Sequence, residues 1–314
     1  MLAGSGSSAV APLFNAWREE FNRQHPNTQV GYLASTTSEG IDQITLDRGD
    51  FAVGDTSLTA EQWKATRGRL VQIPMAVGSV VLVYNVPRAG ELRFTGELLA
   101  QIYMGNISNW NDPHIARLNP GVSLPNLAIV VLQRPETSGT RQIVTEFLLK
   151  TSPAYRRWSV NGGQHEGLPQ FVAERSQGMA EKVAMTPGAI GYIGRGFASH
   201  LGLTYGSVRN ASGKFVKASA ASVSAACLAM ENTIARDRPV SLVDAPGESS
   251  YPLTHFVWIY VSTSDVRGNR GEALFEFLRW CLQEGRALTA GYGYLPLPGS
   301  TATKVETELR SIVP

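Results

Sequence analysis

Two ionisable side chains and three short polar stretches are the parts of this sequence best suited to chemistry. Arg134 ends an apolar run four residues before Ser138, and a guanidinium offers a fixed fork of donors that suits a tetrahedral oxyanion. Asp55 follows the apolar segment from Phe51 to Gly54. The stretches Gly4-Ser5-Gly6-Ser7-Ser8, Ser35-Thr36-Thr37-Ser38 and Thr137-Ser138-Gly139-Thr140 each stand directly before a helical pattern. Each therefore supplies uncommitted backbone N–H groups, hydroxyls and the positive end of a helix dipole. Three such ends aimed at one point would bind an anion. Plain structural alternatives stand beside that reading. Ser and Thr are preferred helix N-caps, Arg134 could form a surface pair with Glu136 worth under about 1 kcal/mol, and Asp55 could serve an Asx turn.

Other chemistries lack their signatures. There is no Gly-x-Ser-x-Gly elbow, no Walker loop and no His-Glu-x-x-His, and His25, His114, His165, His200 and His255 are scattered without metal-ligand spacing, as surface or packed residues would be. Gly4 to Ala9 grazes the dinucleotide-binding pattern, but no complete strand is read before it and no βαβ unit around it. No cofactor is expected. Asn210-Ala211-Ser212 fits a glycosylation acceptor, a pattern too common to weigh.

The elements that must position these residues alternate. Val10, Leu13, Phe14, Trp17 and Phe21 follow helical spacing, which predicts a helix over residues 10–24 closed by Pro26. A strand over 29–33, a helix over 39–47 and a strand ending at Asp55 follow. Residues 79–85 and 256–262 are apolar without polar alternation, which predicts central strands buried on both faces, as in covered parallel sheets. Between them the spacing predicts a helix around Leu98 to Tyr103, a strand over 127–132, a helix over 141–150 and a hairpin turning at Asn210 to Gly213. The fold class is α/β.

Composition bounds the partners. The chain has 314 residues, long enough for one or two domains with a sizeable core. Lys+Arg 28 against Asp+Glu 26 is too balanced for a surface built to grip nucleic acid. No apolar run approaches the roughly 20 residues that cross a bilayer. Cys227 and Cys281 lie in segments that read as helical and could pair or pack as buried thiols. Met1 to Ala3 lead into the Gly/Ser segment without a basic or apolar leader, which fits a cytosolic protein or a processed one.

Seven segments, residues 4–14, 50–58, 99–112, 118–121, 134–140, 187–192 and 293–298, carry in that order a resemblance that spans nearly the whole chain. Through them the chain resembles the PstS-type phosphate-binding proteins of phosphate ABC transporters. The resemblance implies a two-lobed type II periplasmic binding protein, with a mixed β-sheet in each lobe and two inter-lobe crossover strands. Lobe I would be residues 1–84 plus 255–314 and lobe II residues 85–254, with inorganic phosphate in the cleft between them. It also implies an extracytoplasmic solute-binding protein, periplasmic or at the cell surface. Such a protein is not an enzyme, is expected to be monomeric and delivers phosphate to a membrane permease.

Carried over residue by residue, the resemblance makes Ser8 with the Ala9 N–H the first phosphate contact and Thr37 the second. Asp55 becomes the carboxylate that accepts the ligand's proton, Arg134 the cationic ligand, and Ser138, Gly139 and Thr140 the donors over the next helix. Glu136 would steady Arg134 from behind. Phosphate near neutral pH still carries a proton to donate to Asp55, whereas sulfate would set two anions against each other in a dry pocket. Arsenate would be hard to exclude. At about −1.5 kcal/mol per heavy atom, the five atoms of phosphate give on the order of −7.5 kcal/mol, a low-micromolar constant that needs closure to exclude water.

The sequence departs from the family pattern in several places. Ala9 replaces an aromatic residue, Thr37 a usual Ser, Glu136 a shorter Asp and Thr137 a Gly. Glu39 stands where Gly is usual, either facing the cleft, where it would repel phosphate, or facing solvent and favouring the helix dipole. The alternatives are a site for another oxyanion, a sensing role, or a phosphate-ester hydrolase using Ser138 or Thr37 as nucleophile, which lacks an obvious base.

Overall fold

A computed structural model describes residues 1–66, 68–163, 170–233, 240–263 and 268–312, so His165 lies outside the described residues. The chain begins with strand β1 (Leu2–Ser7), helix α1 (Ala11–Gln24), strand β2 (Val30–Ser35), helix α2 (Thr37–Thr45) and strand β3 (Phe51–Gly54). β1 pairs in parallel with β2 on one side and β3 on the other. A βαβ unit therefore does close around the N-terminal Gly/Ser segment, contrary to the sequence reading. That segment is itself strand, because Gly4 and Gly6 let β1 lie against Phe51 and the Val53 carbonyl: a Cβ on Gly6, at φ +143°, would stand 2.0 Å from that oxygen. The glycines thus serve sheet packing, and no glycine loop is left for a dinucleotide.

The remaining elements are α3 (Ala60–Ala65), β4 (Leu70–Tyr84), β5 (Arg93–Phe94), α4 (Gly96–Tyr103), α5 (Pro113–Leu118), β6 (Val130–Gln133), α6 (Gly139–Thr151), α7 (Pro153–Val160), β7 (Gln170–Val172), α8 (Ser176–Met185), β8 (Ala189–Gly194), α9 (Arg195–His200), β9 (Ser207–Arg209), β10 (Phe215–Val216), α10 (Ala220–Ala229), β11 (Thr254–Ser262), α11 (Asn269–Gln283), β12 (Leu295–Pro296) and α12 (Gly299–Ile312). Among the described residues these make a mixed α/β protein. Its main sheet has nine strands in the order β2-β1-β3-β11-β4-β8-β6-β7, with β12 beside β4, and a second sheet runs β10-β9-β5. The expected hairpin at Asn210 to Gly213 is the antiparallel β9–β10 pair.

Strand β4 joins the two halves of the main sheet. Its residues Leu70 to Ser79 pair with β11, and its residues Val80 to Tyr84 pair with β8. Both β4 and β11 are buried almost throughout, as their unbroken apolar character requires. Their pairing corrects the parallel expectation: β11 is antiparallel to β3 and β4, and β4 to β8. Helices cover both faces, so burial alone does not reveal strand direction.

In the first half the stripe Leu13, Phe14, Trp17 and Phe21 of α1 is fully buried and meets Phe277 of α11 edge-on. In the second, Ile143, Val144, Phe147 and Leu148 of α6 are buried. Cys227 and Cys281 are free and buried within helices, their thiols pushed up by burial, that of Cys227 to about 12. Among the described residues no helix is long and apolar enough to cross a membrane.

Candidate functional site

The residues singled out in the sequence lie just beyond the carboxyl ends of parallel strands, where open α/β sheets place their ligands. Ser8 follows β1, Thr37 follows β2 and Asp55 follows β3, all in one half; Arg134 and Ser138 follow β6 in the other. Ser8, Thr37, Asp55, Arg134, Ser138 and Thr140 are all buried, Asp55 and Arg134 at 2% exposure each. The two halves touch here. A Cβ built on Gly139 would stand 2.4 Å from Thr37 Oγ1 and 2.9 Å from Asp55 Oδ2, so only glycine allows this approach. The Ser38 N–H donates to the Thr137 carbonyl at 3.1 Å. The Gln142 amide donates to Ser38 Oγ at 3.1 Å and accepts from Thr56 Oγ1 at 2.9 Å.

Asp55 keeps one carboxylate oxygen open. Its Oδ2 accepts from the Ser7 hydroxyl at 2.8 Å, while its buried Oδ1 has no partner. Its backbone N–H donates to Thr37 Oγ1 at 3.3 Å, which leaves the Thr37 hydroxyl proton to point elsewhere. The Ala9 N–H, expected to face the anion, donates to Ser7 Oγ at 3.1 Å, and the Ser8 N–H to the Ser35 carbonyl at 2.9 Å. At this wall hydroxyls rather than amides remain to meet a ligand. Three tyrosines hold the surrounding backbone: Tyr32 donates to the Ser7 carbonyl at 2.9 Å, Tyr294 to the Ala9 carbonyl at 2.9 Å, and Tyr260 to the Thr56 carbonyl. Burial, and then the Asp55 charge, pushes all three phenols up, so they stay neutral donors.

Arg134 is anchored by neutral oxygens. Nη1 donates to Ser176 Oγ at 2.8 Å, and Nη2 to the Glu174 carbonyl at 3.0 Å and to Ser8 Oγ at 3.3 Å. Its Nε is buried without a partner. Burial pushes the guanidinium down from its ordinary value, against the fields of Tyr192, Asp55 and Glu174. Its backbone N–H donates to the Tyr192 hydroxyl at 3.1 Å, and burial lifts that phenol to about 12.

Glu136 does not steady Arg134. Its side chain is 86% exposed and pairs with Arg141 at 3.2 Å, because it leaves the loop on the outer side. Arg141 instead donates to the Arg134 carbonyl at 2.8 Å. Glu39 is exposed and completes a capping box: the Thr36 N–H donates to Glu39 Oε2 at 3.1 Å and the Glu39 N–H to Thr36 Oγ1 at 3.3 Å. Thr36 is thus the cap of α2, and Thr37 is left for the site. Ser138 occupies the N-cap position of α6 yet makes no capping bond, so its hydroxyl is likewise uncommitted to the helix.

Ser176, Tyr192 and Gln142 belong to this arrangement but were not singled out in the sequence, and Ser7 was named there only as part of the first polar stretch. Ser176 opens α8 and so carries the same Ser-before-helix signal as the three stretches that were. Beside Asp55 opens a cavity of about 350 Å³, bordered by Thr56, Gln142, Glu146, Val243 and His255. Among the described residues no His, Cys, Asp and Glu cluster could hold a metal ion. The arrangement combines one cation, one carboxylate with an open acceptor, several hydroxyls and the first turn of α6. It suits an oxyanion that still carries a proton.

The sequence profile of the PBP superfamily domain matches residues 1–284. The chain is 31% identical to the phosphate-binding protein PstS of Pasteurella multocida over 99% of this chain and 90% of that one. It is also 31% identical to PstS of Xylella fastidiosa strain Temecula1 over 97% and 84%. The fold matches a putative phosphate ABC transporter substrate-binding protein with bound phosphate from Clostridium perfringens, with a TM-score of 0.69, 18% identity, and coverage of 95% of this chain and 99% of that one. It also matches a phosphate-binding protein of Stenotrophomonas maltophilia, with a TM-score of 0.73, 18% identity, and coverage of 98% and 93%.

Proposed function

The chain belongs to the PstS family of phosphate-binding proteins within the PBP superfamily, and from that premise we propose that it captures inorganic phosphate in the Asp55–Arg134 cage and delivers it to the permease of a phosphate ABC transporter. One observation carries the site assignment: two buried polar atoms of opposite character, Asp55 Oδ1 and Arg134 Nε, are unpartnered where the two halves of the main sheet meet. Leaving such atoms unsatisfied is costly. A protonated tetrahedral oxyanion satisfies both at once, donating its proton to Oδ1 and accepting from Nε. Ser8, Thr37, Ser138 and the Gly139 and Thr140 N–H groups then complete its shell, and sulfate, without a proton, is refused by Asp55.

Two lobes would close over the ion, residues 1–84 plus 255–314 against residues 85–254. Supporting this division, β4 changes partners between Ser79 and Val80, and β11 begins at Thr254. The crossovers would act as hinges, and the contacts of Gln142, Ser38 and Thr137 as those of the closed state. Binding without turnover fits the positions of His25, His114 and His255. They contact Glu276, Asp112 and the Phe256 carbonyl, and none activates Ser138 or Thr37. A capture role outside the cytoplasm, as a monomer, completes the proposal. Equilibrium binding of radiolabelled phosphate to the purified protein tests it: one saturable site is expected, and an absence of binding contradicts the assignment.

A further inference from the structure

We propose that Ser176 is a positioning residue for phosphate capture, acting through Arg134; this rests on the function proposed above. Ser176 is the first residue of α8, fully buried, and it lies on a different segment from every residue assigned to the site. Its Oγ accepts from Arg134 Nη1 at 2.8 Å, the shortest of the three side-chain bonds that guanidinium makes. Its own N–H reaches Ser8 Oγ at 3.5 Å, the same oxygen that Arg134 Nη2 approaches at 3.3 Å.

Among the described residues no carboxylate lies within ion-pair distance of the Arg134 guanidinium, since Glu136 is taken by Arg141. A hydroxyl therefore does the holding that a carboxylate could do, and it fixes the fork without neutralising it. No carboxylate bonds the fork directly, so its positive charge, tempered by the fields of Asp55 and Glu174, stays available to an anion, and burying that charge with no anion is costly, which favours closure around a charged ligand. With Ser8 Oγ receiving donors from both Arg134 and Ser176, the Ser8 proton is left to donate into the cage. Ser176 thus aims one cationic donor and one neutral donor at the same place.

The test uses the full chain and inorganic phosphate. Ser176→Ala should weaken binding by about ten- to a hundredfold, the loss of one charge-assisted hydrogen bond. Ser176→Cys, close in size but a weak acceptor, should show a similar loss, and Ser176→Thr should recover most of the affinity. In an Arg134→Lys background Ser176→Ala should cost less than about threefold more, because its partner geometry is already gone. Wild-type affinity in Ser176→Cys, or an undiminished Ser176→Ala loss in the Arg134→Lys background, overturns the positioning role. If the wild-type chain itself binds no phosphate, the proposed function falls, and this inference with it.

Discussion

Gly139 of α6 sits so close to Asp55 that a single added methyl would stand 2.9 Å from its Oδ2 and 2.4 Å from Thr37 Oγ1. The helix start that supplies donors from one half of the main sheet is thereby pressed against the carboxylate of the other. Gly139→Ala should block that approach. Phosphate affinity is expected to fall at least about tenfold, the cost of overpacking, while thermal stability without phosphate stays near wild type because separated halves relieve the clash. Calorimetry and a melting curve read the two effects, and full affinity contradicts the close approach.

The Gln142 amide uses both its ends across the same boundary, on Ser38 and Thr56. Gln142→Ala should speed phosphate release by about tenfold, the loss of two ordinary hydrogen bonds, with a smaller change in association. Stopped-flow release of bound phosphate measures this. An unchanged release rate would mean that the clasp does not hold the closed form.

Two acidic residues next to the site should matter little to binding. Glu136→Ala removes a surface pair with Arg141 worth under about 1 kcal/mol, so phosphate affinity should change less than about twofold. Glu39→Gln weakens a capping box and should cost less than about 1 kcal/mol of stability, again without affecting affinity. A tenfold change in affinity from either substitution would place that carboxylate in the cage after all.

The stretches that carry the site were legible because each has a local signature. Asp55 ends an apolar strand, and Ser138 stands before the periodic run of α6. Spacing alone did not show which hydroxyl caps a helix. Thr36 and Thr37 stand one residue apart; the family resemblance chose Thr37 for the site, and the capping box of Thr36 with Glu39 leaves the Thr37 hydroxyl free of the capping role. Glu136, adjacent in sequence to the Arg134 loop, pairs outward with Arg141, whereas the residue that does hold Arg134 is Ser176 from another strand–helix connection. Such partners are set by tertiary packing, which no spacing rule reports. Strand direction escaped for a related reason: β4 and β11 are covered on both faces, so their composition matches that of parallel strands.

His255 gives the fold a pH dependence. It is buried on β11 with Nδ1 at 3.1 Å from the Phe256 carbonyl and its ring edge-on to Tyr294. Burial lowers its proton affinity, and the Asp55 charge and the Phe256 carbonyl oppose that. The unfolded chain then binds more protons than the folded one between the lowered folded value and the ordinary value of about 6.5. Stability is therefore full above that pH and declines as pH falls beneath it. Melting curves between about pH 8 and about pH 5 should show a smaller acid loss for His255→Gln than for wild type; equal slopes would contradict this.

Selectivity for phosphate rests on whether the open acceptor on Asp55 reads a proton on the ligand. Titration calorimetry of the wild-type chain with phosphate and with sulfate, near neutral pH and at matched ionic strength, tests this most directly. Phosphate should bind at a single site with a low-micromolar or tighter constant, about −7.5 kcal/mol or better, and sulfate should bind at least about a hundredfold more weakly. Equal affinity for the two anions, or binding of neither, would contradict it.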